Sequence, residues 1–299
     1  CGWIAEAHLQ SYLKCDDVEV VAFADIVPGK AEAFAQANGV DRIFVDMEYI
    51  GKEERQGGVH SVKNSHTIAD VEAVRSVLNK TELLVRVNPI HDATESYCSS
   101  EEEINAAILA GADIIMLPMA KKPEDLQRFV RAVGGRVKTM FLLETAEAAE
   151  NIEDMLSVEG IDEIHIGLND LHLSKNMKFM FELLCDGTVE QLCNLIKQKG
   201  IPYGFGGIAR LGYGMLPAEN VITEHYRLGS SMAILSRSFC NVDKIADVNE
   251  IEEIFSDEMK RIREFEKTVE AYTCEQFVEN QKEVAVKVEK IVNRINEGA

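Results

Sequence analysis

Short apolar runs alternate with amphipathic stretches along most of this chain. Arg42–Asp46, Leu83–Asn88, Asp113–Pro118, Met140–Thr145, Ile164–Leu171 and Ile201–Phe205 are each too short for an ordinary helix and are bounded by turn residues. Such runs predict buried strands of a parallel sheet. Helical patterns fall between them. Thr67, with Asp70 three residues on, opens one in the manner of a capping box, and that helix runs to about Leu78. Others cover Glu101–Ala110 before Gly111, Pro123–Val133 before Gly134, Ala146–Leu156, Val189–Lys199 before Gly200, and a short one over Ala218–Glu224. Tyr226–Leu235 carries the last strand. Ahead of all these lie a helix from about Ile4 to Lys14, a strand Val18–Ala24, and a helix from about Lys30 to Asn38.

Strands separated by amphipathic helices predict an α/β fold with a parallel sheet. About seven strands follow Gly39, and Val18–Ala24 supplies an eighth. The expected architecture is therefore a (β/α)8 TIM barrel over residues 18–240. An open doubly wound sheet is the alternative. Residues 241–299 are charge-rich and almost free of Gly and Pro. Ile251, Phe255, Ile262, Phe265, Val269 and Tyr272 form a stripe broken by Glu258, and Val284, Val288, Ile291 and Ile295 form another. Two extra C-terminal helices are expected, packed on the barrel or docked on a second subunit as a homo-oligomer. Three segments result: 1–40, 41–240 and 241–299.

Composition narrows the partners. At 46% hydrophobic residues a sizeable core is available, and the formal net charge of −20 disfavours nucleic acid and anionic membranes. A small carboxylate substrate is not disfavoured, because a local basic pocket overrides the global field. No run is long enough to span a membrane, and no leader is visible. Seven scattered cysteines without a C-x-x-C pair suit a reducing cytoplasm.

Barrel chemistry gathers where strands end, which points to Asp46, Glu48, Arg86, Asn88, Glu144 and Asp170. Glu144 and Asp170 close consecutive apolar runs within one β-α-β unit. Adjacent strands lie about 4.8 Å apart, so two such carboxylates can grip one Mg²⁺ or Mn²⁺. Singly, each is as well explained as a helix opener or a turn cap. Arg86 at a strand end needs an anion, either Asp46 or Glu48, or a substrate oxygen, or both. Backbone N–H groups around Gly167, Asn169 and Asp170 offer a carboxylate cradle. The run Tyr203-Gly-Phe-Gly-Gly-Ile-Ala-Arg210 either makes a tight loop or, with Arg210, holds a phosphate or second carboxylate. His91 and His172 are possible proton carriers. His60, His66 and His225 show no ligand spacing.

Two resemblances add to this. Residues 1–40 are similar to the start of the glucose–fructose oxidoreductase and inositol dehydrogenase family, with Gly2, Ala5 and Asp25 at fingerprint positions. The first fingerprint glycine and its strand are missing, so no dinucleotide binding is expected. Asp46-Met-Glu48, Arg86-Val-Asn88, Ala110–Pro118, Glu144-Thr145 and Gly167-Leu-Asn-Asp170-Leu resemble the HpcH/HpaI aldolase and citrate lyase β-subunit family over residues 39–240. That resemblance implies a metal-dependent carbon–carbon lyase or aldolase on a TIM barrel, often oligomeric. It places the metal on Glu144 and Asp170 and the family's strand-end arginine on Arg86; from the residues themselves, Asn88, Gly167, Asn169 and Arg210 join Arg86 as expected substrate contacts. Asp46, Glu48, Arg86 and Lys52 become the catalytic set, with Lys52 and Arg55 matching basic residues of the citrate lyase branch. The pyruvate aldolases carry D-x-E-H, whereas this chain has Tyr49 in the final position, so the usual base is missing. The substrate expected is a pyruvate-like 2-oxo acid. The competing readings are an NAD-dependent oxidoreductase fragment and a catalytically inactive fusion barrel.

Overall fold

The computed structural model describes residues 40–52, 66–78, 80–236, 239–240 and 248–297. The β-α unit expected over residues 4–38, with Gly2, Ala5 and Asp25, lies outside the described residues, as do Arg55 and His60. Seven strands are described, and their order in the sheet follows their order in the chain. A doubly wound sheet reverses its order at a switch point. This one does not, so the fold is α/β and TIM-barrel-like, with two long C-terminal helices.

The chain divides into two compact units. In the first, β1 (Arg42–Asp46), β2 (Glu82–Arg86) and β3 (Ile114–Leu117) pair in parallel, with Asp46 opposite Arg86 and Arg86 opposite Met116. Helix α1 (Ile68–Val77) opens with the Thr67/Asp70 capping box, and α2 (Ser100–Leu109) with a second one from Ser99 and Glu102. Near the end of α1, Arg75 reaches Asp113 at 2.7 Å, and Asp113 also takes the Leu83 N–H. The Arg75 stem lies against Gly111, where a Cβ would meet it at 2.4 Å. Gly111 (φ +102°) is therefore required both for its backbone and for the space. Helix α3 (Pro123–Val133) follows, and β4 (Lys138–Leu143) begins in this unit.

The second unit holds the end of β4, α4 (Ala146–Glu150), α5 (Ile152–Met155), β5 (Glu163–Ile166), α6 (Leu168–Ser174) and α7 (Glu182–Cys185). It continues with α8 (Thr188–Gln198), β6 (Tyr203–Ile208), α9 (Ala218–Leu228) and β7 (Met232–Leu235). Several boundaries differ from the sequence expectation. The helix over 146–156 is two short ones meeting at Asn151, whose side chain bonds to Glu147 O at 2.9 Å and competes with the backbone ladder. The run Ile164–Leu171 is a strand only to Ile166, and Asp170 sits in the first turn of α6. β6 starts later and runs through its glycines, because Gly204 passes so close to β7 that a Cβ would strike Met232 O. α9 continues to Leu228, where Gly229 in the left-handed region stops it.

Helix α10 (Val248–Glu270) runs unbroken past Glu258, since Met259 takes the next buried position between Ile251 and Ile262. Helix α11 (Cys274–Asn296) packs on α7 and α9 and buries Val284, Val288 and Ile291.

A histidine in the core of the second unit makes an acid-sensitive joint. His225 stacks on Phe205 at 3.8 Å, and its Nδ1 lies 2.8 Å from Ser230 Oγ. The Ser230 hydroxyl is directed to Met232 O, so Nδ1 is the donor and the buried Nε2 is left bare. Burial, with the nearby His165, pushes the His225 pKa down to about 3. The unfolded chain, titrating near 6.5, takes up this proton first. Stability is thus complete above pH 6.5 and is expected to fall by about 1.4 kcal/mol per unit between there and pH 3. His225→Phe should flatten that part of a stability–pH curve measured by denaturant titration. An unchanged slope would remove His225 as the cause.

Candidate functional site

In the first unit the acids and bases at the ends of β1 and β2 form one ionic array. Asp46 is 1% exposed and closes β1 opposite Arg86, which closes β2. Arg86 grips it with two parallel bonds, Nε to Oδ1 at 2.8 Å and Nη2 to Oδ2 at 2.6 Å. Lys52 Nζ reaches Oδ2 at 3.0 Å, and the Glu48 N–H donates to Oδ1 at 3.1 Å. Arg86 Nη1 lies 3.4 Å from Glu48 Oε2. Burial pushes the Asp46 carboxyl up, but the Arg86 and Lys52 cations beside it outweigh burial and hold it well below the usual carboxylate range. Asp46 is therefore ionised at neutral pH and fixes the direction of both cations.

Asn88, expected to touch substrate, is fully engaged in the frame of the first unit. Its Oδ1 accepts the N–H groups of Tyr49 and Ile50, each at 2.9 Å. Its Nδ2 donates to Glu103 Oε1 at 2.7 Å and lies 3.4 Å from Met47 O. Glu103 also receives the Asn88 N–H, and burial raises its pKa above the usual range. This pair pins the turn after β1, from which Tyr49 stands half out into solvent, 5.8 Å from Tyr97. Asn88→Ala is expected to cost about 1–3 kcal/mol through the buried groups it strands. An unshifted urea midpoint would contradict that.

In the second unit, Glu144 follows β4 directly and is 2% exposed. Its Oε1 accepts the Met119 N–H at 3.0 Å. Met119 holds φ +55°, a costly conformation for a residue with a long side chain, and it aims that N–H at the carboxylate. Gly167, the residue after β5, lies directly on Glu144: a Cβ there would come within 2.9 Å of both Glu144 Cβ and Oε2. Its N–H donates to Leu143 O at 2.9 Å. Gly167 thus seats the Glu144 side chain instead of presenting an amide to substrate. One turn on, Asp170 is half-buried in α6, and Asn169 is exposed beside it. Thr145 caps α4 and donates to Ala120 O at 2.9 Å.

The remaining candidates are spread out. Arg210 lies two residues past β6, with its guanidinium 3.8 Å over the Tyr213 ring. His91 is held at Nδ1 by Pro89 O and Ser100 and at Nε2 by Cys98 O, while His172 is buried against Leu168 O. Neither is poised as a free base. Glu103 and Met119 were missed from sequence. Glu103 shares the buried face of α2 with Ser100, Ile104 and Ala107, so helical spacing marks it as inward-facing. Nothing in the local sequence marks Met119.

Among the described residues no cluster of three or more His, Cys, Asp or Glu side chains is placed to hold a metal. A closed structural zinc site is therefore not built from them. A carboxylate pair is the donor set that suits Mg²⁺ or Mn²⁺, with substrate and water completing the shell. Glu144, held by the Met119 N–H and seated on Gly167, and Asp170 in the first turn of α6 are carboxylates of that type.

A family profile described as HpcH/HpaI aldolase/citrate lyase matches residues 31–180. The chain belongs to this family. Solved structures share its fold, among them these two. An HpcH/HpaI aldolase/citrate lyase family protein from Burkholderia cenocepacia is 16% identical, at TM-score 0.52, over 86% of this chain and 99% of its own. An HpcH/HpaI aldolase from Desulfitobacterium hafniense is 17% identical, at TM-score 0.53, over 78% of this chain and 86% of its own. No curated protein matches in sequence. The family match begins at residue 31, inside the stretch compared above with dinucleotide-binding oxidoreductases, and nothing supports that second likeness. Membership gives the protein a lyase-type function. Among the described residues no helix is long and apolar enough to cross a membrane.

Proposed function

We propose that this protein is a divalent-metal-dependent carbon–carbon lyase or aldolase acting on a pyruvate-like 2-oxo acid. The observation that carries the reading is the Glu144 seat. A buried carboxylate is fixed between the strained Met119 N–H and a bare Gly167, with Asp170 one turn away, inside the stretch that matches the family. Glu144 and Asp170 would hold Mg²⁺ or Mn²⁺, which when bound polarises a keto or carboxyl oxygen as a Lewis acid. By the family resemblance, Arg86 would be the group that stabilises the negative charge developing on the substrate as the C–C bond breaks. Asp46 keeps the guanidinium in one plane, so little reorganisation is needed at that moment. Lys52 and Glu48 complete the array around it. Self-association through the C-terminal helices would have to use a face other than the one α11 buries against α7 and α9.

The direct test needs no aldehyde partner. Pyruvate incubated with the protein and Mg²⁺ in D₂O should gain deuterium at its methyl group, read by mass spectrometry. Exchange should disappear with EDTA. Exchange no faster than with metal alone would sink the proposal.

A further inference from the structure

Six arginines among the described residues are half-buried: Arg42, Arg75, Arg86, Arg128, Arg210 and Arg227. Five of them are ion-paired, with Glu82, Asp113, Asp46, Glu101 and Glu224 respectively, at 2.6–2.8 Å. Arg210 is the exception. Among the described residues it pairs with no carboxylate, and its Nε is buried without a hydrogen-bond partner. In a chain with 51 acidic and 31 basic side chains, that is the reverse of what chance supplies. A cation partly withdrawn from water without a counter-charge is unfavourable, so the missing partner is best supplied by a ligand.

The guanidinium is also held in one place. It lies over the Tyr213 ring at 3.8 Å. Stacking fixes the plane and leaves the Nη1/Nη2 edge, not the buried Nε, to face an oxyanion with two parallel bonds. The turn that carries both residues is tied at three points. Tyr213 N donates to Arg210 O, Ala218 N to Tyr213 O, and Gly212 N to Glu219 Oε1, at 3.0, 3.1 and 2.8 Å. Glu219, the acid of this turn, makes no ion pair with Arg210: its Oε1 holds the loop and its Oε2 is buried without a partner.

Arg210 follows the carboxyl end of β6, the end at which Glu144 and Gly167 follow β4 and β5 in the same unit. Gly206 of β6 approaches Leu168, the first residue of the helix bearing Asp170, so closely that a Cβ would meet it at 2.8 Å. Parallel strands put all these residues on one edge of the sheet of this unit, where barrels assemble their sites.

We propose that Arg210 and Tyr213 form an oxyanion subsite beside the Glu144/Asp170 pair, which takes the second anionic group of a dianionic substrate. This deepens the lyase reading and rests on it for the identity of the first group, a 2-oxo acid. The second group is a carboxylate or a phosphoryl ester, since both present the same oxygen fork to a guanidinium.

The test compares three 4-hydroxy-2-oxo acids, ending in a carboxylate, a phosphate ester or a neutral alcohol. Arg210→Gln should lower kcat/KM for the preferred anionic tail by roughly 10- to 100-fold, mostly through KM, and leave the neutral tail unchanged. The tail preferred by the unaltered protein identifies the group. Tyr213→Leu, at a half-exposed position, should give a smaller loss in the same direction and serves if Arg210→Gln does not fold. Equal losses on all three substrates, or none, would overturn the subsite. A second arm is independent of turnover: calorimetry in EDTA with malonate and with inorganic phosphate. Dianion binding that is lost in Arg210→Gln upholds the subsite even if no lyase activity is found. Binding unchanged in Arg210→Gln, or absent in the unaltered protein, overturns it even if the lyase reading stands.

Discussion

Glu144→Gln and Asp170→Asn are each expected to abolish tight Mn²⁺ or Mg²⁺ binding and to cut activity by more than about 10²-fold. Loss of an outer-shell partner of a metal already costs 10- to 100-fold, so loss of a direct ligand should cost at least as much. The fold should survive both changes. Gln has the size of Glu, fits over Gly167, and keeps an oxygen for the Met119 N–H. Asn at 170 removes an acid from the first turn of α6, worth only a few tenths to about 1 kcal/mol. Metal titration by calorimetry, alongside melting curves, separates the two effects. Unchanged metal affinity in both variants would overturn the assignment. A drop in melting temperature large enough to account for the lost activity would make Glu144 a structural residue.

Arg86→Lys should lower kcat by about 10²–10³-fold, or 3–4 kcal/mol, with a smaller change in KM. Lysine keeps the charge and loses the fork. The present geometry also assigns Arg86 a structural task, because both oxygens of Asp46 rest on it. Arg86→Ala leaves Asp46 buried without the guanidinium on which both its oxygens rest, and breaking such a pair costs on the order of 3–5 kcal/mol. The two variants therefore divide the roles. Lysine reports on transition-state stabilisation with part of the ion pair retained, and alanine reports on the anchoring of Asp46. Near-normal kcat in Arg86→Lys, together with a lowered melting temperature, would leave Arg86 as an anchor only.

Hydrophobic spacing located the strands and helices well, because that signal is local. Arg42–Asp46 is a strand with the boundaries its apolar run predicts, and the two C-terminal stripes are the buried faces of α10 and α11. Local signals failed where a glycine acts across the fold. The strand read as ending at Phe205, before a tight glycine loop, yet β6 runs on to Ile208, and Gly204 within it is bare so that β7 can pass. The run Ile164–Leu171 read as one strand because its apolar residues do not show where extended backbone gives way to α6.

By itself the sequence determined the α/β alternation and the presence of acids and an arginine near strand ends, since burial periodicity and turn chemistry depend on near neighbours. Only the tertiary structure decided what those side chains do. Asp46 and Arg86 lie 40 residues apart and pair because parallel register sets β1 beside β2. Asn88 turns from substrate toward Glu103 because α2 brings that acid under the first loop. Met119 takes a left-handed backbone because Glu144 needs its N–H, and Gly167 stays bare because the same carboxylate lies on it. Arg210 makes no ion pair among the described residues, because the acid of its turn, Glu219, is turned to the Gly212 N–H. Each of these outcomes depends on which distant elements the fold places side by side, and hydrophobic patterning along the chain holds no information about that placement.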